Sequence, residues 1–125
     1  MIRKFSDNPD SVTFWGDGSP YREFMYVDDM ADACIFLMKC DKIESGELIN
    51  AGSGEDISIR DLASTVAEIM KYNGHINWDT SRPNGTPKRP LDFSKIKTLG
   101  WQPKYTLRDG LKKTIEWYKE NGHNR

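Results

Sequence analysis

The chain has 125 residues, of which 37% are hydrophobic and 30% charged, with a formal net charge of −1. This near-neutral balance gives no electrostatic reason to expect nucleic acid or an anionic membrane as partner, and no apolar run approaches the roughly 20 residues of a membrane helix. Four Trp, five Tyr and five Phe supply bulk to bury, which excludes a disordered chain.

Met1, Ile2 and Phe5 are spaced like the last turn of a helix whose beginning is missing, and Met1 to Ser6 are too few for a helix of their own. Asn8 and Pro9 stop that turn. Val12 to Trp15 reads as a strand, Gly16-Asp17-Gly18-Ser19-Pro20 as a tight turn, and Phe24 to Val27 as a second strand. Asp28 then reads as the N-cap of a helix carrying Met30, Ala33, Cys34, Leu37 and Met38 on one face. Gly46 resets the chain before Leu48-Ile49-Asn50, read as a short buried strand that ends at Gly52-Ser53-Gly54. Ser58 and Asp61 form a capping-box-like pair ahead of the stripe Ile59, Leu62, Ala63, Val66, Ile69 and Met70. Gly74 ends that region, and His75 to Trp78 reads as a strand. Ser81 to Pro90 is a loop, Ser94 caps a short helix closed by Gly100, and Thr106 with Asp109 starts a last helix presenting Leu107, Leu111, Ile115 and Tyr118. Short strands alternating with about four helices predict an α/β layering, or α+β for this piece taken alone.

Little in the chain resembles a catalytic or metal centre. Cys34 and Cys40, two thiols on one predicted helix, make no disulfide framework and fit a reducing cytoplasm, where they read as small core-filling residues. His75 and His123 are isolated, so no metal-ligand spacing exists. Gly52 and Gly54 fail the dinucleotide pattern because Ile57 stands in the third glycine place, and Gly16 and Gly18 fail because Tyr21 does. Asp28, Asp29 and Asp32 read as carboxylates at the positive end of a helix.

Two segments concentrate recognition chemistry. Trp15 to Phe24 puts an indole, a glycine-rich turn and the Arg22 guanidinium within ten residues, able to stack on a flat ring and to bind phosphate through paired hydrogen bonds. The plainer reading is a β-hairpin with a core Trp and a surface Arg. The loop Ser81 to Arg89 is stiffened by Pro83 and Pro87 and carries Asn84, Lys88 and Arg89. The plainer reading there is a solvated basic loop, although about ten residues without regular structure are long enough to suspect function.

Three stretches carry a resemblance: Phe14-Trp15-Gly16-Asp17-Gly18-Ser19-Pro20-Tyr21-Arg22-Glu23-Phe24-Met25-Tyr26-Val27-Asp28-Asp29-Met30-Ala31, Asn50 to Ile59, and Trp78-Asp79-Thr80-Ser81-Arg82-Pro83-Asn84-Gly85-Thr86-Pro87-Lys88-Arg89. On these, nearly the whole chain resembles the carboxy-terminal portion of the GDP-L-fucose synthase family, epimerase-reductases among the extended short-chain dehydrogenases/reductases. The Arg22 to Asp29 core recurs across extended reductases and epimerases. Trp15-Gly16 ahead of Pro20-Tyr21-Arg22, combined with Pro83-Asn84-Gly85-Thr86-Pro87, is more specific.

The resemblance implies two epimerisations and an NADPH reduction that turn GDP-4-keto-6-deoxy-D-mannose into GDP-L-fucose, carried out by the parent protein. It implies substrate contacts at Trp15, Arg22 and Asn84, with Lys88 and Arg89 approaching the diphosphate. Asn84 departs from the acidic residue the family often has there, and an amide cannot supply a full negative charge. The family's Tyr-x-x-x-Lys pair is missing, since Tyr21, Tyr26, Tyr72, Tyr105 and Tyr118 are followed four places later by Met25, Met30, Ile76, Asp109 and Gly122. The expectation is therefore that residues 1–125 form the substrate-binding portion and that an amino-terminal NADP-binding Rossmann domain belongs ahead of it. No catalytic residue, cofactor site or metal site is expected on this chain, nor reductase activity or NADPH binding when it is alone. Taken alone it would expose an apolar face where the cofactor domain belongs. The parent is expected to be cytoplasmic and homodimeric, as the family typically is. Another sugar-nucleotide epimerase or dehydratase, and a free-standing binding module, stay open as alternatives.

Overall fold

The computed structural model describes residues 1–44, 46–89 and 91–122. Its elements in chain order are α1 (Ile2–Asp7), β1 (Ser11–Trp15), β2 (Tyr21–Glu23), α2 (Val27–Lys39), β3 (Asp56–Ser58), α3 (Ile59–Met70), β4 (His75–Asp79), α4 (Ser94–Thr98) and α5 (Leu107–Asn121). The mixed α/β class read from the sequence holds, with five helices among the described residues where about four were expected. The difference is α1, a six-residue helix in its own right, because Phe5 is buried and anchors it to the core.

β1 and β4 pair in parallel, in register from Ser11 opposite His75 to Trp15 opposite Asp79. Parallel neighbours need a long crossover, here everything from Gly16 to Gly74. Along β1 the two-residue period sends Val12 and Phe14 inward and leaves Ser11, Thr13 and Trp15 outward. Val12 and Phe14 meet Leu62, Ala63, Val66 and Ala67 of α3, with Phe5 and Ile115 closing the cluster. The α3 stripe and the Leu107, Leu111 and Ile115 face of α5 both pack there, as their helical spacing predicts. Both helices start as expected: the Asp61 N–H donates to Ser58 Oγ at 3.0 Å, and the Asp109 N–H to Thr106 Oγ1 at 3.2 Å.

A second cluster joins Ala33 of α2 to Phe93, Ile96 and Trp101, with Phe36, Leu37 and Ile49 packed against it. Several expectations fail around it. The second strand is Tyr21–Glu23 rather than Phe24 to Val27, because it pairs antiparallel with β3 and the chain turns helical at Val27. Tyr26, not Asp28, is the N-cap of α2, and its side chain makes no cap bond. Leu48-Ile49-Asn50 forms no strand and Leu48 is 96% exposed, for no neighbouring strand among the described residues supplies a ladder. Cys34 is exposed and Cys40 half-buried, so neither fills the core. On α2 only part of the expected stripe faces inward: Ala33 is buried and Leu37 half-buried, whereas Met30, Cys34 and Met38 are exposed. α3 ends one turn before Gly74, at Lys71 in the left-handed region (φ 54°). α4 is capped through Asp92, whose carboxylate accepts the Ser94 N–H at 2.8 Å, rather than by Ser94 itself.

The acidic start of α2 does more than complement the helix dipole. Asp29 is 1% exposed, and its two carboxylate oxygens accept the Lys104 and Tyr105 backbone N–H groups at 3.0 and 3.1 Å. Asp32 accepts the Trp101 indole N–H and the Lys104 ammonium, each at 2.9 Å. The two carboxylates hold the segment ahead of α5 against α2.

Asn cannot replace Asp29, because one of its two side-chain heteroatoms is a donor facing a donor. Asp29→Asn is expected to destabilise the fold by about 1.5–3 kcal/mol, read from urea denaturation. Lys104 first, and the Trp101 indole second, hold the Asp32 carboxyl below its ordinary range. Its contribution to stability is thus present above the unfolded-state value and lost as pH falls through the lower folded-state value. The Trp101 Nε1–H resonance is expected to titrate with a midpoint below that of a free Asp, and Asp32→Asn is expected to abolish that titration.

Candidate functional site

β1 ends at Trp15, whose outward place on the strand leaves it 71% exposed. The next residue continues the ladder, Gly16 N–H donating to Asp79 C=O at 2.9 Å, so the turn after β1 and the loop after β4 leave the sheet side by side. The Arg82 guanidinium lies 5.4 Å from the Trp15 ring centroid and 3.8 Å from an Asp79 carboxylate oxygen. Gly16 and Gly18 have φ of 76° and 78°, a region that favours glycine.

Asp17, between them, is held from several sides. Its N–H donates to Asn84 Oδ1 at 3.0 Å, its C=O accepts from the Arg60 guanidinium, and its carboxylate accepts the Ser19 N–H at 2.8 Å. The Ser19 side chain and backbone, with a smaller part from Asn84, keep the Asp17 carboxyl below the usual carboxylate range.

The loop after β4 is stitched along the same segment. Tyr21 N–H donates to Pro87 C=O at 2.8 Å, and Arg22 Nη1 donates to Thr86 C=O at 2.8 Å and to Tyr21 C=O at 2.5 Å. Asn84, 62 or more positions away in sequence, therefore shares one edge of the molecule with Trp15 and Arg22. Lys88 is paired with Asp56 at 2.7 Å, a hydrogen-bonded contact that raises its ammonium above the ordinary lysine value. It lines a hollow of about 240 Å³ together with Glu23, Gly54, Asp56, Leu91 and Phe93. Arg89 is exposed. A larger hollow, about 430 Å³, lies between the start of α2 and α5, and none of the sequence-predicted site residues lines it.

The glycine pairs do not form a cradle for a dinucleotide. A Cβ at Gly16 would overlap Asn84 Oδ1, one at Gly18 would lie 2.6 Å from the Trp78 ring, and one at Gly52 would overlap Glu23 and Phe93. The space that a pyrophosphate would need beside these backbones is filled by the protein's own side chains. Among the described residues no group of three His, Cys, Asp or Glu could hold a metal ion, and no helix is long and apolar enough to cross a membrane.

Three contributors were not legible as site residues in the sequence. Arg82 covers Trp15, Glu23 accepts the Gly54 N–H at 2.9 Å and the Ser53 hydroxyl at 3.1 Å, and Arg60 reaches the turn. Arg82 was visible only as one more cation of the Ser81–Pro90 loop, and Arg60 only as a cation in the first turn of a helix, where the dipole disfavours it.

Residues 1–52 match the NAD dependent epimerase/dehydratase family. A GDP-L-fucose synthase of Arabidopsis thaliana is 45% identical over 129 residues, covering 100% of this chain and 39% of the relative. The solved GDP-mannoheptose C4 reductase of Campylobacter jejuni, which has NADP bound, superposes with a TM-score of 0.83 at 36% identity, over 94% of this chain and 43% of that one. A GDP-L-fucose synthetase from Naegleria fowleri gives 0.86 at 26% identity, over 99% of this chain and 39% of that one. The chain thus spans about two fifths of the length of these proteins.

Gly16→Ala is expected to destabilise the chain by about 1–2 kcal/mol from backbone strain alone, with a further loss from overlap with Asn84. In an Asn84→Ala background the overlap disappears, so thermal melts of the two single variants and the double variant are expected to be less than additive.

Proposed function

As the chain is a relative of the GDP-L-fucose synthases and shares the NAD-dependent epimerase/dehydratase family match, we propose that it is the sugar-nucleotide-binding portion of a longer NADPH-dependent epimerase-reductase. The observation that carries this reading is the stitching of residues 84–87 onto residues 17–22, which groups an exposed indole, a guanidinium and an amide on one edge.

Each group has a task that suits its chemistry. Trp15, backed by Arg82, offers a flat face for a base or sugar ring. Arg22 spends one nitrogen on Thr86 and Tyr21, which fixes the plane of its guanidinium and leaves the remaining N–H groups for a diphosphate oxygen. Asn84, oriented by the Asp17 N–H, keeps its Nδ2 donor for the substrate. Lys88 and Arg89 add positive charge toward the diphosphate. Lys88 works from a fixed place because Asp56 tethers it.

None of these groups is placed to move a proton or hydride. Their contribution is positioning: a ketosugar held within a fraction of an ångström of its reactive geometry reacts far faster than one that wanders. In the proposed parent, NADPH supplies the hydride and is held by a Rossmann domain ahead of this chain, which also carries the acid-base groups and the family's dimer contact. A cytoplasmic setting completes the proposal, in line with two free thiols.

In calorimetric titrations of the chain, GDP is expected to bind more tightly than UDP or dTDP. Arg22→Ala is expected to weaken the GDP complex about tenfold, the worth of one charge-assisted hydrogen bond. A preference for UDP or dTDP would reassign the chain to another sugar-nucleotide epimerase or dehydratase. Absence of nucleotide binding would remove the proposal and leave a module of another kind.

A further inference from the structure

We infer that Arg60 is a positioning residue for the proposed sugar-nucleotide site, holding the Gly16–Ser19 turn in the shape that sets Trp15 and Arg22 along one edge. The inference rests on the function proposed above for its purpose, but on geometry alone for the turn.

Arg60 is the second residue of α3, behind the Ser58 cap. A cation there faces the positive end of the helix dipole, and an exposed Arg held in one rotamer loses conformational freedom. Both penalties are offset by side-chain contacts to the turn and to Trp78 of β4. Independently of the side chain, the backbone N–H of Arg60 donates to Gly18 C=O at 2.9 Å. The guanidinium donates to Asp17 C=O, and its Cζ lies 4.7 Å from the Trp78 ring centroid. Gly18 is wedged between the two, since a Cβ there would come within 2.6 Å of Trp78 and 2.9 Å of the Arg60 Cβ.

The turn is thereby clamped from opposite directions. Asn84 takes the Asp17 N–H from the loop after β4, and Arg60 gives to the Asp17 C=O from α3. Removing the Arg60 side chain leaves the strand register and the backbone bonds from Ile59 and Arg60 to Pro20 and Gly18 in place, but takes away the bond that fixes the Asp17–Gly18 peptide plane from the α3 side. That plane sets the direction in which the chain runs from Trp15 to Arg22. The side chain of Arg60 is solvent-exposed and outside both apolar clusters, so its loss opens no cavity.

The test compares the whole chain with its Arg60→Met and Arg60→Lys variants by amide hydrogen exchange and by calorimetry with GDP. Arg60→Met is expected to keep the far-ultraviolet dichroism of the wild type. Its Asp17, Ser19 and Tyr21 amides are expected to exchange about fivefold faster or more, through local opening. GDP affinity is expected to fall about fivefold through misplacement of the site. Arg60→Lys is expected to recover part of both losses, because an ammonium still reaches the Asp17 carbonyl but cannot stack its plane on Trp78. Unchanged exchange at those three amides in Arg60→Met overturns the clamp whatever the ligand does. Faster exchange with unchanged GDP affinity overturns the positioning role while the proposed function stands. Faster exchange in a chain whose wild type binds no GDP upholds the clamp and overturns the proposed function instead.

Discussion

The parallel ladder between Ser11–Trp15 and His75–Asp79 is the constraint from which the rest of the arrangement follows. It fixes residues 64 positions apart as neighbours, and it does so in one register, because sliding β1 by one residue would turn Val12 and Phe14 out to water and Trp15 into α3. Once Trp15 stands opposite Asp79, the turn that follows one strand and the loop that follows the other have to emerge together. The hydrogen bonds that join them, from Asp17 to Asn84, Tyr21 to Pro87 and Arg22 to Thr86, are local consequences of that register.

The second half of the structure is tied by carboxylates rather than by strands. Asp29 and Asp32 sit one turn apart on α2 and between them accept two backbone N–H groups, an indole and an ammonium from residues 101–105. A buried carboxylate with both oxygens satisfied orients a loop that has no ladder of its own, at the expense of tolerating no neutral replacement. Asp29 and Asp32, two of the three carboxylates at the start of α2, are thus engaged in holding residues 101–105 against that helix.

The edge formed by Trp15, Arg22 and Asn84 is polar, stiff and open. Its polar side chains are engaged with backbone before any ligand arrives: Arg22 with two carbonyls and Asn84 with an N–H. Pre-engagement lowers the ordering entropy that a ligand would have to overcome, which is what the substrate-holding role proposed above would require.

Much of this was legible in the amino-acid sequence. Helical periods located α3 and α5, the Ser58 and Thr106 caps marked their starts, and the glycine pairs marked turns, since these depend on contacts within a few residues. The residue types of the site were visible for the same reason. Where a neighbour distant in sequence decides, the sequence was silent or misleading. Leu48-Ile49-Asn50 has strand chemistry but no strand beside it, β2 begins at Tyr21 because Ser58 and Pro87 lie there, and Cys34 sits on the exposed side of α2. The roles of Arg60, Arg82 and Asp29 are of this kind. Which segments coil, turn and carry charge follows from the order of residues alone, because those preferences are local. Which charges meet is settled by folding, because a guanidinium or carboxylate takes as partner whatever the strand register and helix packing bring within about 3 Å.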